Sequence, residues 1–227
     1  MLFSIATPTF NCLSQLKSCV GSVRRQQGVE VEHLVQDGGS TDGTPAWLAA
    51  QTGLKAVSER DAGMYDAINR AWARGRGDVF AWLNADEQYL PGTLAHVASV
   101  FDQHPEIDML FGDTLIVNHD GRLLAARREI PLRAWYVKNG FLYALSCSLF
   151  FRSRLVQKGW LKFDTSYRLA GDFDLMLRLL AQGARCRHVS RYYALFGITG
   201  DNLSMNPRME QEGEEIKRRN QDRKSVV

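Results

Sequence analysis

The chain has no apolar run long enough to cross a bilayer. The longest, residues 141–151, is too short, contains Ser146 and Ser148, and reads as a buried strand. Cysteine is scarce. Cys12, Cys19, Cys147 and Cys186 lack C-x-x-C spacing, which argues against a zinc or disulfide framework and for a reduced, cytosolic protein with apolar thiols. His33, His96, His104, His119 and His188 show no metal-ligand spacing and sit beside no nucleophile motif, so they read as structural or solvated. Charge is nearly balanced: 28 basic against 25 acidic residues give +3, too little to argue for nucleic acid. The first residues form neither a basic n-region nor a long apolar h-region, so no signal peptide is expected. Ser40 lies outside any G-x-S-x-G elbow, and no phosphate-binding G-x-x-x-x-G-K-[ST] or G-x-G-x-x-G occurs where it would matter.

What is present is an ordinary globular composition, 45% hydrophobic and 23% charged, in a chain of 227 residues that can bury a full core. In the first half, strand and helix patterns alternate: strands at 2–7 (stopped at Pro8), 31–36, 54–58 and 78–83, and helices at 13–27, 44–51, 64–74 and 91–103. Short loops between such units predict a mostly parallel, doubly wound sheet. After residue 107 the order changes. Short strands are expected at 107–111 and 115–117, with a hairpin turn at 118–121 before a strand at 122–126. Residues 145–151 should return to the sheet, and a helix at 172–182 ends at Gly183. The organisation expected is one domain over 1–208, split into a donor-binding half (1–106) and an acceptor-binding half (107–208). A charged tail follows at 209–227.

The densest chemistry lies at strand ends. Residues 31–44 read V-E-H-L-V-Q-D-G-G-S-T-D-G-T, an apolar run that stops at Asp37 and two glycines. Such a stop delivers a carboxylate to the ligand-binding edge of an α/β sheet, where glycine permits close approach. The plainer alternative for Asp37 is an acid satisfied by its own turn, a description that suits Asp42 better. A second strand end carries Asn84-Ala85-Asp86-Glu87. Asn84 and Asp86, two residues apart, project to one side of an extended segment and offer two oxygen ligands to Mg²⁺ or Mn²⁺. Glu87 is open between a supporting partner and a solvated acid. Arg60 reads as a residue that forks onto phosphate or stacks on a base, the plainer alternative being a surface ion pair, and Asp61 and Gly63 as shaping the start of the next helix. Asp172 opens a helix with an apolar face, where it either complements the dipole or takes a proton from a hydroxyl. Asp174, four residues before Arg178, reads as half of a helix-surface ion pair.

With I-A-T-P-T-F-N (5–11), Q-D-G-G-S-T-D-G-T (36–44), S-E-R-D-A-G-M-Y-D-A-I-N-R-A (58–71), L-N-A-D-E (83–87), F-F-R (150–152) and A-G-D-F-D-L-M-L-R-L (170–179) in this order, residues 2–204 resemble the family 2 glycosyltransferases of GT-A fold, the bacterial surface-polysaccharide type. The resemblance implies a Rossmann-like, mostly parallel sheet flanked by helices, with a small antiparallel element in the second half. It implies an inverting transfer from a nucleoside diphosphate sugar, UDP-sugar favoured, to a glycan or lipid-linked acceptor. Thr7, Pro8, Asp37, Gly39, Arg60, Asp61, Gly63, Asn69, Asn84 and Ala85 would contact the donor. Asp86 would hold Mn²⁺ or Mg²⁺ as the acid of the D-x-D motif, and Asp172 would be the base. Two departures stand out: Asn84 replaces the first acid of D-x-D, and L-Y-A-L-S-C-S-L precedes Phe150 where relatives often carry His-Gln.

Two other readings share parts of this pattern. A nucleotidyltransferase has the sheet and the metal logic, but Thr9-Phe10-Asn11 is not the Gly-rich basic loop of that class. A non-catalytic sugar-nucleotide binder would need no Asp172. The expected location is cytoplasmic, at the inner face of the membrane if the basic-aromatic segment 127–143 and the basic tail make a peripheral contact. An acceptor-loop lid with a solvated tail is the weightier reading of those segments. The sequence is silent on oligomeric state.

Overall fold

The computed structural model describes residues 1–118, 120–198 and 208–222; His119, Arg223 and Lys224 lie outside them. Strand and helix alternate through β1 (Leu2–Thr9), α1 (Leu13–Arg24), β2 (Glu30–Asp37), α2 (Thr44–Ala49), β3 (Leu54–Ser58), α3 (Met64–Ala73) and β4 (Val79–Trp82). There follow β5 (Gln88–Tyr89), α4 (Thr93–Gln103), β6 (Met109–Asn118), β7 (Leu123–Arg127), α5 (Ala134–Asn139), a 3₁₀ turn (Ser146–Ser148), β8 (Leu149–Arg152), α6 (Arg154–Gln157), α7 (Gly171–Ala181), β9 (Cys186–Ile198) and α8 (Arg208–Asp222). Among the described residues the strands make one sheet in the order β3-β2-β1-β4-β8-β6-β9-β5, with β7 beside β6. The first four of that order pair in parallel. Antiparallel pairing enters with β8, β7 and β5, which completes the GT-A-like architecture that the resemblance implies.

Alternation along the central strands explains why helices cover both faces. Phe80 and Trp82 on β4, with Leu149 and Phe151 on β8, point to the side packed by α3 and α7. Val79, Ala81 and Phe150 point to the other side, against α1 and α4. The first core is largely aromatic: Trp72 stacks on Phe163 and meets Trp82 edge-on, and its indole N–H donates to the Ala81 carbonyl at 3.0 Å.

Several expectations needed correction. Strand β1 continues through Pro8 to Thr9, in register with Gln36 and Asp37. The Ala6 carbonyl faces β4, so the position of Pro8 faces that side too, where β4 has already separated and no N–H is needed. The two strands expected at 107–111 and 115–117 are one strand, β6, irregular against β9 around Gly112 and Asp113. A Cβ on Gly112 would enter the Tyr193 ring, so the polar break in the pattern marks close packing rather than a turn. Residues 141–151 are not one buried strand: Phe141 is exposed and only Leu149–Arg152 joins the sheet. The charged tail, described to residue 222, forms helix α8, with Ile216 fully buried against Val137, Tyr167 and Phe173. One inward-facing isoleucine among charges is too weak a periodic signal to read. Strands β5 and β9 had no legible pattern.

Truncating the aromatic core tests this packing. Trp72→Ala should cost about 3–5 kcal/mol, read as a lowered urea midpoint, since it removes ring contacts to Trp82, Phe151 and Phe163 and leaves a cavity.

Candidate active site

Strands β1, β2 and β4 end side by side and open into a cleft of about 1970 Å³. One wall comes from residues 8–12, 38–39, 60–65 and 84–87; the other comes from residues 140–146, 168–173 and the cleft-facing side of α8. Pro8, Gly39, Arg60, Asp61, Gly63, Asn84, Ala85, Asp86 and Asp172 all line it. Three expected site residues do not.

Thr7 is fully buried, its hydroxyl 2.8 Å from His33 Nε2. Burial pulls the His33 pKa down to about 3, which keeps the ring neutral. Asn69 locks α3 to the chain ahead of α7, donating to the Phe163 carbonyl (3.0 Å) and accepting its N–H (2.9 Å). Asp37 lies under the floor, where its carboxylate accepts the Ser40 hydroxyl, the Ser40 N–H and the Ser58 hydroxyl (2.5 Å). The turn-acid alternative therefore describes Asp37, and the glycines behind it reach the cleft in its place. Asp42 does what the sequence suggests, accepting the Leu13 and Thr44 N–H groups at 2.9 and 3.1 Å.

Gly38 and Gly39 let the loop after β2 pass close to the next. A Cβ on Gly38 would stand 3.1 Å from the Asp61 carboxylate, and Gly39, at φ +86°, packs against the Arg60 side chain. Arg60 is exposed and forms no ion pair among the described residues. Asp61 accepts the Gly63 N–H at 2.8 Å and so fixes the start of α3.

At the end of β4, Asn84 donates its N–H to Glu87 Oε2 at 2.8 Å while its side-chain Oδ1 is buried without a hydrogen-bond partner. Asp86 is half-buried, and desolvation raises its pKa. Glu87 is buried, not solvated. Burial and then the neighbouring Asp86 charge push it up to about 8, and its Oε1 accepts the Ser146 hydroxyl at 3.1 Å. An orphaned amide oxygen beside a carboxylate is a donor pair suited to a hard divalent cation. Among the described residues no group of three or more His, Cys, Asp or Glu side chains could hold a metal, so an ion here would draw its remaining ligands from elsewhere.

Asp172 stands in the first turn of α7. Its Oδ1 accepts the Phe173 N–H at 2.9 Å and lies 3.5 Å from the Tyr65 hydroxyl, which itself donates to the Leu169 carbonyl. Burial raises the carboxyl's pKa, and these hydrogen bonds partly offset the rise. Asp174 pairs with Arg178 at 2.7 Å, as its spacing predicts.

Some contributors escaped the sequence reading. Phe10, 63% exposed, presents a ring face at the cleft mouth, and its place between Thr9 and Asn11 in the T-P-T-F-N loop was the available signal. Arg168 lies over Gly63, its guanidinium 2.7 Å from where a Cβ would be. Glu212 on α8 accepts the N–H groups of Arg168 (3.0 Å), Leu169 (2.8 Å) and Ala170 (2.9 Å), the loop that leads into α7. Nothing local in the sequence marks that long-range contact.

A family model described as Glycosyl transferase family 2 matches residues 4–156, more than half of the chain. A PGL/p-HBAD biosynthesis glycosyltransferase of Mycobacterium bovis is 28% identical over 205 residues, covering 84% of this chain and 73% of that protein. Among solved structures, S. aureus TarS 1–349 in complex with UDP-GlcNAc superposes with a TM-score of 0.76 at 19% identity, over 95% of this chain and 64% of that one. The mannosyltransferase PcManGT from Pyrobaculum calidifontis, in complex with GDP-Man and Mn²⁺, gives 0.65 at 16% identity, over 89% and 58%. The chain thus spans less than two thirds of either solved chain, and 39% of a longer TarS chain. At these identities the structural likeness speaks for the fold.

The Glu212 anchor can be tested directly. Glu212→Ala should raise amide hydrogen exchange at Arg168, Leu169 and Ala170 by about tenfold or more while β1, β2 and β4 stay protected. Unchanged protection at those three amides would show that the loop holds itself.

Proposed function

This chain belongs to glycosyl transferase family 2, and we propose that it moves a sugar from a nucleoside diphosphate sugar to a hydroxyl of a glycan or lipid-linked acceptor, inverting the anomeric centre. One observation carries the reading. Asp86, from the end of a parallel strand, and Asp172, from a helix 86 residues further on, line one cleft large enough for donor and acceptor together.

In this reading the exposed ring of Phe10 stacks on the base, and the backbone at Gly38 and Gly39 lets the nucleotide approach closely. Arg60, which forms no ion pair among the described residues, meets phosphate or base. A UDP-sugar is the favoured donor, a choice that the UDP-GlcNAc complex of TarS supports for its own fold and the GDP-Man complex of PcManGT keeps open. Asn84 Oδ1 and Asp86 would hold Mn²⁺ or Mg²⁺, with diphosphate oxygens and water completing the shell. When bound, such an ion offsets the charge that collects on the departing diphosphate.

Asp172 acts on the opposite face of the sugar. Its Oδ1 is held by the Phe173 N–H, and Oδ2 is the oxygen that receives the acceptor's hydroxyl proton as that oxygen attacks the anomeric carbon. Burial makes the carboxylate a stronger base than a solvated aspartate. Placing it in the second half of the chain lets acceptor and donor arrive from different walls. A site of action at the cytoplasmic face of a membrane, in surface-polysaccharide assembly, fits this chemistry.

Two measurements check the proposal. Asp172→Asn should retain the donor-induced rise in thermal midpoint yet lose transfer by about 10³-fold or more. Loss of transfer without loss of donor binding separates an enzyme from a mere binder, and full activity would remove Asp172 as the base. In the wild type, kcat/KM should fall on the acid side with a midpoint above the ordinary aspartate range of about 3.9. The sign follows from the base role: Asp172 must be ionised, and burial makes it hold its proton to higher pH.

A further inference from the structure

Of the eight exposed large apolar side chains among the described residues, four fall in one segment. Ile130 (59% exposed), Trp135 (69%), Tyr136 (51%) and Phe141 (68%) all lie between β7 and β8. They belong to one ordered surface. The Trp135 and Tyr136 rings meet edge-on at 5.3 Å, as do Phe141 and Tyr143 at 6.4 Å. The Tyr143 hydroxyl ties both ends together, accepting the Arg133 N–H and donating to the Pro131 carbonyl, each at 3.0 Å. Helix α5 is pinned from beneath by Val137, fully buried against α7 and α8. The aromatic rings are therefore held outward by a packed element.

Within residues 127–143 the exposed charge is basic, while α8, packed on α5, carries Glu210 and Glu214 at the neighbouring cleft. Arg128, Arg133 and Lys138 flank the rings, and Arg133 and Lys138 have no ion-pair partner among the described residues. The acid in this segment, Glu129, is buried and paired with Arg127 at 2.6 Å. Trp and Tyr beside unneutralised Arg and Lys is the side-chain set of a membrane interface: ring bodies enter the headgroup layer and cations meet lipid phosphates. No helix among the described residues is long and apolar enough to cross a bilayer, so any contact made here is peripheral.

We infer that this surface docks the protein onto an anionic lipid bilayer. A second copy is a poorer occupant, since a symmetric contact sets the same cations against each other. Phe141, with Gly140 and Leu142, also lines the acceptor-side wall of the cleft. Docking on this face brings the cleft mouth to the headgroup plane, where the hydroxyl of a lipid-linked acceptor sits. This last step rests on the function proposed above, whereas the docking itself does not.

The test uses the full chain and vesicles of phosphatidylcholine with or without about 30% phosphatidylglycerol. The protein should co-sediment with the anionic vesicles and not the neutral ones, and salt at about 0.5 M should release it. Trp135→Ser and Arg133→Glu, both at exposed positions, should each lower the bound fraction by about fivefold or more with an unchanged thermal midpoint. Absence of binding to anionic vesicles, or binding by Trp135→Ser equal to wild type, would overturn the inference. So would a dimer in light scattering that Trp135→Ser dissolves, because the occupant would then be another copy. A donor-induced thermal shift, run alongside on wild type and Trp135→Ser, tells the two ideas apart: its absence in both sinks the glycosyltransferase reading and leaves the vesicle result standing.

Discussion

Where β4 ends, two carboxyl groups and an amide oxygen are forced together out of water, and much of the site follows from how that crowding is managed. Asp86 and Glu87 are adjacent; burial raises both carboxyl pKa values, and the Asp86 charge further disfavours ionisation of Glu87. Glu87 is kept tolerable by hydrogen bonds to the Asn84 N–H and the Ser146 hydroxyl. Asn84 Oδ1 is left with nothing. A buried acceptor without a donor costs about 1–3 kcal/mol, so a fold that keeps one at a cleft holds local strain that a cation would relieve.

The same carboxyl of Glu87 joins the two halves of the protein. Its partners are the loop after β4 in the first half and the 3₁₀ turn before β8 in the second. Two further ties cross the same divide: Asn69 to the Phe163 backbone, and the Tyr65 hydroxyl to the Leu169 carbonyl. Residues on α3 therefore set the position of the segment that carries Asp172. The end of β4 and the segment that carries Asp172 are thereby tied together by short polar contacts around an aromatic cluster.

The legible parts of the sequence were those whose signals are local. Parallel strands buried on both faces read as short apolar runs, and β1 to β4 were found with only end residues misplaced, Pro8 among them. The glycine pair after Asp37 and the N-A-D-E stretch after β4 announced themselves because strand ends followed by Gly or acids are local patterns. The partners of Asp37 were not legible: its carboxylate is held by Ser40 and Ser58, and the latter is a neighbour only through β2–β3 pairing. Thr7 faces away from the cleft because alternation along β1 turns it toward His33 on β2. Strand β9 and helix α8 were hidden, since the partners that stabilise them lie far off in the chain; α8 is mostly polar, and β9 is irregular where it pairs with β6.

The grip of Glu212 on residues 168–170 puts the anchor of the loop ahead of α7 downstream of everything it holds. A chain leaving the ribosome can complete its nucleotide-facing sheet edge long before that anchor exists. The loop that leads Asp172 into α7 gains that anchor only when α8 folds back onto it. Order of synthesis thus separates the two walls of the cleft: the strand ends that line one can form before the loop on the other is tied down.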